Sequence, residues 1–503
     1  VAGPFGQEVF MVMRPQLRWG MLLLLLTMLA ACTSSPAPKT AVPTCIPSGT
    51  QVEINAALTA PGAIADLCPN AIFTLTGPVT FSAANQRVRT QGLPGGDQRA
   101  LLRVSAATLT SAINGVNQSG IAIENVRIDG GRAQLGPSTG DALIEIGGNA
   151  SGQTVQGVDA RDTRSWSTIH IAEGNVSNGE FGCQHATITN NTLGPAGTPD
   201  GNWADGVSLA CGDSLVQHNT IRDATDGAIV VFGAAGSTID SNTIIATSRT
   251  LLGGINMVDF DPAEGNYSGT KVTNNTIESA GALIKVGIAM GPQVWFCRPG
   301  TNYGATVSGN TVRGGQVGYS FPVNGVRDWT VSGNIDLASH TVLPGPGCGG
   351  LPSAPGGFQY QQASSSHLQS GYAHASLTYL LGVYQPGTPP SGCAVMFAEQ
   401  PLRAGESVVS CNHRFALTVT RAGKVMLSAG TKVLWSAPLS GRAAASLVVR
   451  VNGDVVALDA TGHTVWHTGT AGHSYARLVV QDDGNLVVYD PHDNVLWSSN
   501  TQG

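Results

Sequence analysis

A short phrase recurs through the middle of the chain and limits its fold more than any other feature. Each copy has a few β-branched or apolar residues, then an asparagine, then a second such pair, as in residues 186–193, 215–221, 237–244, 272–277 and 307–312. The asparagines are Asn191, Asn219, Asn242, Asn275 and Asn310, which lie 28, 23, 33 and 35 residues apart. Two short strands around a bend cannot bury their apolar side alone, so the copies must stack.

Stacking places each asparagine beside the asparagine of the next copy, where side-chain hydrogen bonds can satisfy the buried bend. Weaker copies at residues 125–128 and 331–335 extend the pattern in both directions. The pattern resembles the right-handed parallel β-helix of the pectin-lyase-like superfamily over residues 45–345. That superfamily includes lyases, hydrolases, epimerases, phage adhesins and non-enzymatic proteins, so the resemblance implies a fold rather than an activity.

Aligning the copies predicts one column of side chains that carries chemistry. The column contains Trp166, Asp205, Asp226, Leu252 and Lys285. Neighbouring coils of such a fold are ~4.8 Å apart, so we expect Asp205 within about 5 Å of Asp226 and Lys285 about 10 Å from Asp226. In the same neighbourhood we expect the side chains of Trp203, His170, Glu173, Asp259 and Asp261.

Two interpretations of Asp205, Asp226 and Lys285 stay open. Close carboxyl groups push one pKa upward and create an acid beside a base, as glycoside hydrolysis requires. A polysaccharide lyase would instead use Lys285 as the base, with a Ca²⁺ ion held by an aspartate; otherwise we expect no cofactor. In the non-catalytic interpretation, each Asp-Gly pair forms a turn in which the aspartate caps backbone amides.

The last hundred residues contain a different repeat. Trp435, Trp466 and Trp497 are 31 residues apart, and each closes a strand that follows a tight turn. Three strand–turn–strand–turn–strand units predict a three-fold β-prism with the tryptophans at its centre. The complete chain is therefore predicted to be all-β, in agreement with its 12% of charged residues and its 65 glycines.

The third unit carries a binding motif. Gln481, Asp483, Asn485, Val487 and Tyr489 match all five fixed positions of the mannose-binding motif of the bulb-type lectin family, which the chain resembles over residues 400–503. Alternation would place these five side chains on one face of a strand. The other units depart from the motif, with Arg450, Asn452, Asp454, Val456 and Leu458 in the second and Thr420, Ala422, Lys424, Met426 and Ser428 in the first. The resemblance therefore implies at most one carbohydrate site in this module.

The first forty residues have the layout of a secretory signal. A basic stretch at residues 13–18 precedes an apolar run at 21–26 that is too short to span a membrane. Leu29-Ala30-Ala31-Cys32 resembles the bacterial lipoprotein signal, which implies lipidation of Cys32 and a membrane anchor. Residues 1–31 are thus predicted to be the signal peptide, with translation starting at Met11 or Met13, and residues 32–44 a tether.

Eight further cysteines follow Cys32 in a compartment that permits disulfides. Pairing of neighbours predicts the bridges 45–68, 183–211, 297–348 and 393–411. Residues 346–392 are interpreted as an extension with helical character at 361–383 and a linker at 384–392, and residues 393–503 as the lectin domain.

These features together predict a glycan-recognising lipoprotein of the bacterial cell envelope. Its partners would be a mannose-type glycan, a polysaccharide and the membrane. The net charge of −6 makes nucleic acid an improbable partner, since phosphate binding needs clustered positive charge. The β-helix is either an enzyme held on its polymer by the lectin, or a rigid stalk of a non-enzymatic adhesin.

Overall fold

The structure is a computed structural model that describes most of the chain from Cys45 onward. The described residues are 45–198, 202–295, 300–340, 345–346, 352–353, 356–370, 395–396, 401–410, 412–450, 452–473, 476–490 and 494–503. The predicted signal peptide, the tether with Cys32, and most of the predicted extension and linker lie outside them. No helix in the described part of the chain has the length and apolarity needed to cross a membrane.

The first of the two bodies is the predicted parallel β-helix, and its strands form three ladders. The first ladder contains eleven parallel strands. Its strands are Ile64–Leu67, Arg87–Thr90, Ala122–Glu124, Thr154–Gln156, Thr187–Thr189, Leu215–Gln217, Thr238–Asp240, Lys271–Thr273, Thr306–Ser308, Thr330–Ser332 and His367–Leu368.

The second ladder begins after the first bend of each coil, and from Thr192–Leu193 to Ile335–His340 each of its strands comes immediately after one of the stacked asparagines. Its strands are Ile72–Leu75, Leu101–Val104, Arg127–Asp129, Asp159–Arg161, Thr192–Leu193, Thr220–Arg222, Thr243–Ala246, Thr276–Ser279, the first half of Thr311–Arg327, and Ile335–His340.

The third ladder completes each coil and joins the second through the long strand Thr311–Arg327. Its strands are Val79–Thr80, Ile113–Asn114, Ile144–Gly147, Ser167–Ala172, Asp205–Leu209, Gly227–Val231, Leu251–Met257, Ile284–Met290, the second half of Thr311–Arg327, and Gly356–Ser364, with Asn302–Tyr303 paired to the end of the long strand.

Small elements close or decorate this body. The helix Gln51–Ala57 starts at Thr50, whose side chain and Glu53 form a capping box, and it buries Ile54 in the β-helix core. The helices Gly96–Gln98 and Arg132–Leu135 are single turns. Two hairpins pair Val176–Ser177 with Glu180–Phe181 and Gly345–Pro346 with Pro352–Ser353.

Aliphatic side chains stack from coil to coil in the interior. In the first ladder the stacked residues are Val155, Ile188, Val216, Ile239, Val272, Val307 and Val331, each at most 1% exposed. Identical registers repeat the same contact in every coil, so the core is a column of branched side chains that suit a pleated surface.

The predicted asparagine stack is confirmed. The backbone N–H and the amide nitrogen of Asn275 both donate to Oδ1 of Asn310, at 2.9 Å, and its own Oδ1 accepts the same two bonds from Asn242. The stack runs without a break from Asn191 through Asn334 and ends on Oε1 of Gln369.

The end of the β-helix differs from the prediction. Gly356–Ser364 and His367–Leu368 are parallel strands of the body, so it continues past residue 345. The helical character predicted from residue 361 onward is wrong for the described residues up to 370. Gln369 explains the difference, because its side chain takes the place of one more asparagine and prolongs the stack.

The two predicted disulfides that fall on described residues are present, Cys45–Cys68 and Cys183–Cys211. The other two predicted pairs involve Cys297, Cys348, Cys393 and Cys411, which lie outside the described residues.

The second body is the predicted three-fold β-prism, built from three four-stranded antiparallel sheets. The sheets are Ser407–Val409, Phe415–Val419, Val425–Ala429 and Lys432–Ser436; Pro401–Arg403, Ser446–Val449, Val455–Leu458 and Thr464–His467; and Val395–Met396, Arg477–Val480, Leu486–Tyr489 and Val495–Ser498. Trp435, Trp466 and Trp497 meet edge to face, with ring centroids 5.4–5.8 Å apart. Their placement at the centre is confirmed.

We expect Asn275→Ala to lower the free energy of unfolding of the full chain. The change removes the Oδ1 that accepts two hydrogen bonds from Asn242 and the amide nitrogen that donates to Oδ1 of Asn310 and to the Ile239 carbonyl, a cost of roughly 3–5 kcal/mol. Thermal unfolding measures it, with the neighbouring Asn274→Gly as control. Asn274 is exposed at φ 55°, a conformation that glycine adopts freely. Equal melting temperatures for the two variants would contradict a structural role for the stack.

Candidate functional site

The third ladder bends sharply, and the bend makes its outer face concave. Oγ of Ser208 donates to Oδ2 of Asp205 at 2.7 Å, although residues three apart in a flat strand point to opposite faces. The same bend is present in later coils, where a Cβ on Gly253 would lie 2.1 Å from Oδ1 of Asn256. We call this concave outer face the corner groove.

Glycines make the bend. A Cβ on Gly206 would lie 2.5 Å from the carbonyl oxygen of Ala228 in the next coil. A Cβ on Gly254 would lie at the same distance from the carbonyl oxygen of Gly287, and a Cβ on Gly287 from that of Ser320. Such contacts exclude side chains, so glycine at these positions lets successive coils turn the same tight corner.

The register of the predicted column is wrong at one position. Asp205 pairs with Ser167 on one side, and the pairing of Val207 with Ile229 places it opposite Gly227 on the other. The row that contains Asp226 therefore reads Trp166, Ala204, Asp226, Leu252 and Lys285. The prediction aligned the Asp-Gly pair at 205–206 with the pair at 226–227. This alignment moved Asp205 by one residue, from the neighbouring row into the row of Asp226.

Asp205 is held by hydrogen bonds from the protein. Oδ1 accepts the N–H of Gly227 at 2.9 Å and Oδ2 accepts Ser208, and the residue is 4% exposed. Burial raises the pKa of Asp205 well above its ordinary value, with a further contribution from the charge of Asp226. These are the contacts expected if Asp205 caps a backbone amide, as in the non-catalytic interpretation.

Asp226 and Asp259 have a different environment. Both are half-buried, and each has one buried carboxyl oxygen without a hydrogen-bond partner, Oδ1 of Asp226 and Oδ2 of Asp259. Burial raises the pKa of Asp226 to about 6; the charge of Asp259 adds to the increase, and that of Lys285 opposes it. Burial, together with the charge of Asp261, raises the pKa of Asp259. The charge of Asp259 therefore acts on Asp226, and both side chains lie in a largely desolvated environment.

Lys285 is 1% exposed, and its ammonium lies 5.4 Å from the ring centroid of Trp203. Burial lowers the pKa of Lys285 to about 7, against the opposing effect of Asp226. Asp205, Asp226 and Lys285 are therefore part of one electrostatic cluster, although Asp205 occupies a different row from the other two.

Two arginines position the segment that carries Trp203. The guanidinium of Arg132 donates to the carbonyl of Asn202 at 3.1 Å, and Arg249 donates to the carbonyl of Gly197. Arg132 is 8% exposed and also donates to the carbonyl of Thr163 at 3.0 Å. The indole over Lys285 is thus held by the body of the β-helix.

Toward the N-terminal coils the groove continues with aromatic and acid–base groups. Nδ1 of His170 is 2.6 Å from Oε1 of Glu145, and the rings of His170 and Trp166 meet edge to face at 4.7 Å. The sequence predicts that His170 and Trp166 lie near this site, but it does not predict Glu145 as their neighbour.

Among the residues that the structure describes, no group of three or more His, Cys, Asp or Glu side chains is arranged to hold a metal ion.

The lectin motif lies on a hairpin rather than along one strand. Residues 482–484 form the turn, and Leu486–Tyr489 is the return strand. Asp483 is exposed and its Oδ1 accepts the N–H of Asn485 at 2.9 Å, which stabilises the turn. The amide nitrogen of Gln481 donates to the hydroxyl of Tyr489 at 2.6 Å.

This bond spans an apolar pair. Val479 and Val487 are opposite each other in the register, between the ends at Gln481 and Tyr489. Val487 is 2% exposed and points away from the prism core, which contains Leu486 and Val488. The outer face thus combines a small apolar floor with amide, phenol and carboxylate groups.

Asn485 has a scaffolding contact on one side. Its Oδ1 accepts hydrogen bonds from the hydroxyls of Ser498 and Ser499 and from the N–H of Thr501, at 3.0–3.3 Å. Asp454 makes equivalent contacts in the second unit, where Oδ1 accepts the hydroxyl of Thr468 and the N–H of Thr470. The hydroxyl and N–H groups at this place can therefore bind either an amide or a carboxylate oxygen. Only the amide also has a nitrogen that can donate a hydrogen bond.

No family model matches the chain, and no curated protein matches it. Solved structures that are similar to it include the Japanese Marasmius oreades lectin, at 31% identity over 22% of this chain and 92% of that chain, with a TM-score of 0.21. A monomeric mannose-binding lectin from Gastrodia elata matches at 23% over 22% and 99%, with a TM-score of 0.20. The mannose-specific agglutinin from snowdrop, Galanthus nivalis, matches at 19% over 22% and 98%, with a TM-score of 0.18.

We expect Asp226→Asn to stabilise the protein. A raised carboxyl pKa means that ionisation opposes folding, so removal of the charge contributes about 1–3 kcal/mol at pH 8. The gain is complete above pH 6 and disappears as the pH falls below about 4, where the unfolded chain also binds the proton. Thermal unfolding between pH 4 and 8 measures this. Destabilisation that does not vary with pH would contradict the assigned environment.

Proposed function

We propose that this protein is a glycan-recognising protein whose prism module binds a mannose-type sugar at the hairpin of Gln481 to Tyr489. The observation that carries the proposal is the outer face of this hairpin, where polar groups surround buried Val487. Sugars present hydroxyls around a less polar ring face, and such a site can contact both.

The third unit alone has this combination among the three described hairpins. In the second unit, Arg450 and Leu458 replace the glutamine and the tyrosine, so the hydrogen bond across the apolar pair is lost. In the first unit, Ala422 and Lys424 replace the aspartate and the asparagine. We therefore propose a single site of weak affinity, in the millimolar range expected for a shallow monosaccharide site.

We expect Asn485→Asp to abolish detectable binding while the fold is kept. The carboxylate preserves the contacts with Ser498, Ser499 and Thr501, as Asp454 does in the second unit, but it removes the amide donor. Loss of a hydrogen bond to a buried ligand hydroxyl costs about 1–3 kcal/mol, which is about a tenfold to hundredfold loss of affinity. Titration of the full protein with methyl α-D-mannoside measures the affinity.

The matched control is Asp454→Asn, which restores the amide at the same place in the second unit and should leave the stoichiometry at one. Undiminished binding by Asn485→Asp, or two or three equal sites in the unchanged protein, would reject the assignment to this hairpin.

We also propose that the protein is anchored in the bacterial cell envelope through Cys32. Support comes from the basic start, the apolar run and the Leu29-Ala30-Ala31-Cys32 sequence. A cysteine with more than one acyl chain would hold the protein stably on a bilayer. The anchor would keep both glycan-contacting bodies at the membrane surface.

We expect Cys32→Ser to release the protein from the detergent phase in a phase-partition experiment, because no acyl chain can be attached. Ala31→Gly, a small-residue change beside the cysteine, is the control and should stay in the detergent phase. Equal partition of Cys32→Ser and the unchanged protein would reject the lipoprotein assignment.

For the β-helix, we propose that it contacts a glycan at the corner groove. The alternative, a rigid stalk, is supported by the engagement of Asp205 in capping. The half-buried side chains of Asp226 and Asp259 favour a site, because a stalk has no need of their unpartnered buried oxygen atoms.

A further inference from the structure

We propose that His340 and Asp336 form a pH-dependent lock on the end coil of the β-helix, closed while the imidazole ring is protonated and weakened when the ring loses its proton. The end coil consists of the strands Thr330–Ser332, Ile335–His340 and Gly356–Ser364. The lock is a property of the first body and depends neither on the mannoside site nor on the corner groove.

The strand Ile335–His340 has a pattern opposite to that of the coils before it. Its inward position beside the buried Val312 of the preceding coil is Asp336. Two of its outward residues are apolar, with Ile335 50% and Leu337 66% exposed. A carboxylate in the row of the core needs strong partners, because burial disfavours its charge.

Asp336 has these partners within the end coil. Its Oδ1 accepts the hydroxyl of Ser320 at 2.8 Å and the N–H of Ala338 at 3.1 Å, and its Oδ2 is 2.8 Å from Nε2 of His340. The final strand of the third ladder lies against the same carboxylate, since a Cβ on Gly357 would be 2.1 Å from Oδ2. The side chain therefore lies between the long strand, which carries the serine, and the final strand.

Both ring nitrogens of His340 face hydrogen-bond acceptors. Nε2 faces the carboxylate of Asp336, and Nδ1 is 2.9 Å from the carbonyl oxygen of Gly318. A neutral imidazole has only one N–H, so one of these short contacts would join two acceptors. The imidazolium has an N–H on each nitrogen and satisfies both. The geometry is therefore that of the protonated ring.

The electrostatic environment agrees with this geometry. Burial alone would lower the pKa of His340, but the hydrogen bond to Asp336 and the charge of Asp336 raise it above its ordinary value. Burial alone would raise the pKa of Asp336, but hydrogen bonds from His340 and Ser320 lower it. Each partner thus favours the charged form of the other.

Other titratable groups on or beside the packed strands change charge outside the range between pH 6 and 8. They are Arg313, Tyr319 and Arg327 on the long strand, Tyr360 on the final strand, and Glu278, which pairs with Arg313 at 2.7 Å on the outer face. Arginine stays charged, glutamate ordinarily titrates near pH 4 and tyrosine near pH 10. A change between pH 6 and 8 in the end coil is therefore assigned to the imidazole.

The lock should weaken as the pH rises. Because the folded pKa of His340 is raised, its stabilisation is complete below about pH 6.5, the ordinary value for histidine, and is lost as the pH rises through the folded pKa. The lowered pKa of Asp336 gives a contribution that is present above about pH 4 and is lost as the pH falls through the folded pKa. The end coil should be most firmly closed between these limits.

The end coil covers the apolar interior at this end of the body. Phe358 of the final strand stacks on Phe321, with ring centroids 5.1 Å apart, and both Phe358 and Ala338 pack against the core. When the ring of His340 loses its proton, two acceptors face each other, and separation of the strands relieves that contact. Such local opening costs less at the end of a ladder than within it, because a terminal strand pairs on one side only.

The experiment is hydrogen exchange of the full protein, measured by mass spectrometry between pH 5.5 and 8.5 and corrected for the intrinsic effect of pH. We expect the protection of residues 335–340 and 356–364 to fall roughly tenfold or more over this range, as for loss of a hydrogen bond to a charged group. Residues 187–193 in a central coil should keep their protection. Constant protection of the end coil, or an equal fall in both regions, would overturn the proposal.

Variants test the two residues of the lock. In His340→Gln the side chain can donate to only one acceptor and does not titrate, so protection of the end coil should be lower and the same at every pH. Asp336→Asn removes the charge and should move the change to lower pH. The matched control is His367→Gln, at an exposed histidine of the first ladder, which should keep the original profile. A pH dependence that survives in His340→Gln would assign the effect to another group.

Nuclear magnetic resonance of protein with ¹⁵N-labelled histidine rings measures the proton directly. The signals that His340→Gln removes belong to His340. They should be mostly those of the imidazolium at pH 6.5, where a histidine of ordinary pKa is half neutral. A titration midpoint at or below pH 6.5 would show that the folded protein does not favour the second proton, and the lock would be rejected.

Discussion

The hydrogen bonds of the buried asparagine bends are the constraint on which the β-helix depends. From Asn191 to Asn310 the asparagine of each coil donates twice to the next asparagine, and its amide nitrogen also donates to a carbonyl of the coil before, as from Asn242 to Val216. A bend displaced by one residue would bury unpaired amides, at about 1–3 kcal/mol for each group. Coil length therefore varies only outside the bend. Between Asn242 and Asn310 the additional residues fall after the third ladder, at 258–270 and 291–305.

The fixed bend on one side of the coil is accompanied by a sharp bend on the other. With the asparagine stack holding the coils in register, glycine at positions 206, 254 and 287 can turn the third ladder sharply in each coil. The bend brings Asp205 to Ser208, which a flat strand would keep apart. It also makes the outer face concave, so that residues before and after the bend can share one environment. The chemistry of the groove is thus a consequence of backbone geometry that repeated glycine makes accessible.

The sequence predicts whatever repeats with a regular pattern, and less of what depends on one irregular position. The asparagine stack, the central tryptophans and the 45–68 and 183–211 bridges follow from spacing alone. The ending on Gln369 could not be predicted, because a glutamine there replaces the asparagine by which the pattern is recognised. Asp205 was placed one residue from its row because two Asp-Gly pairs look alike in sequence, while the register is set by the bend at Gly206. Asp259 follows the strand Leu251–Met257, and its charge raises the pKa of Asp226. The sequence predicts Asp259 in this neighbourhood but not its effect on Asp226.

In both candidate sites, polar side chains form hydrogen bonds that hold the surrounding protein in place. In the prism, one oxygen of Asp483 holds the N–H of Asn485, and the oxygen of Asn485 holds Ser498 and Thr501. In the groove, Asp205 holds the backbone at Gly227, and the oxygen of Asn256 holds Trp295 while its nitrogen faces the carboxyl cluster. A side chain fixed by one atom presents its other atom at a defined place, with little conformational entropy left to lose when a ligand is bound. The same arrangement separates structural from ligand-binding function within one residue. Asp454 retains the scaffolding contacts of Asn485 but lacks the amide nitrogen, so the second unit of the prism keeps the fold without the group that would bind the sugar.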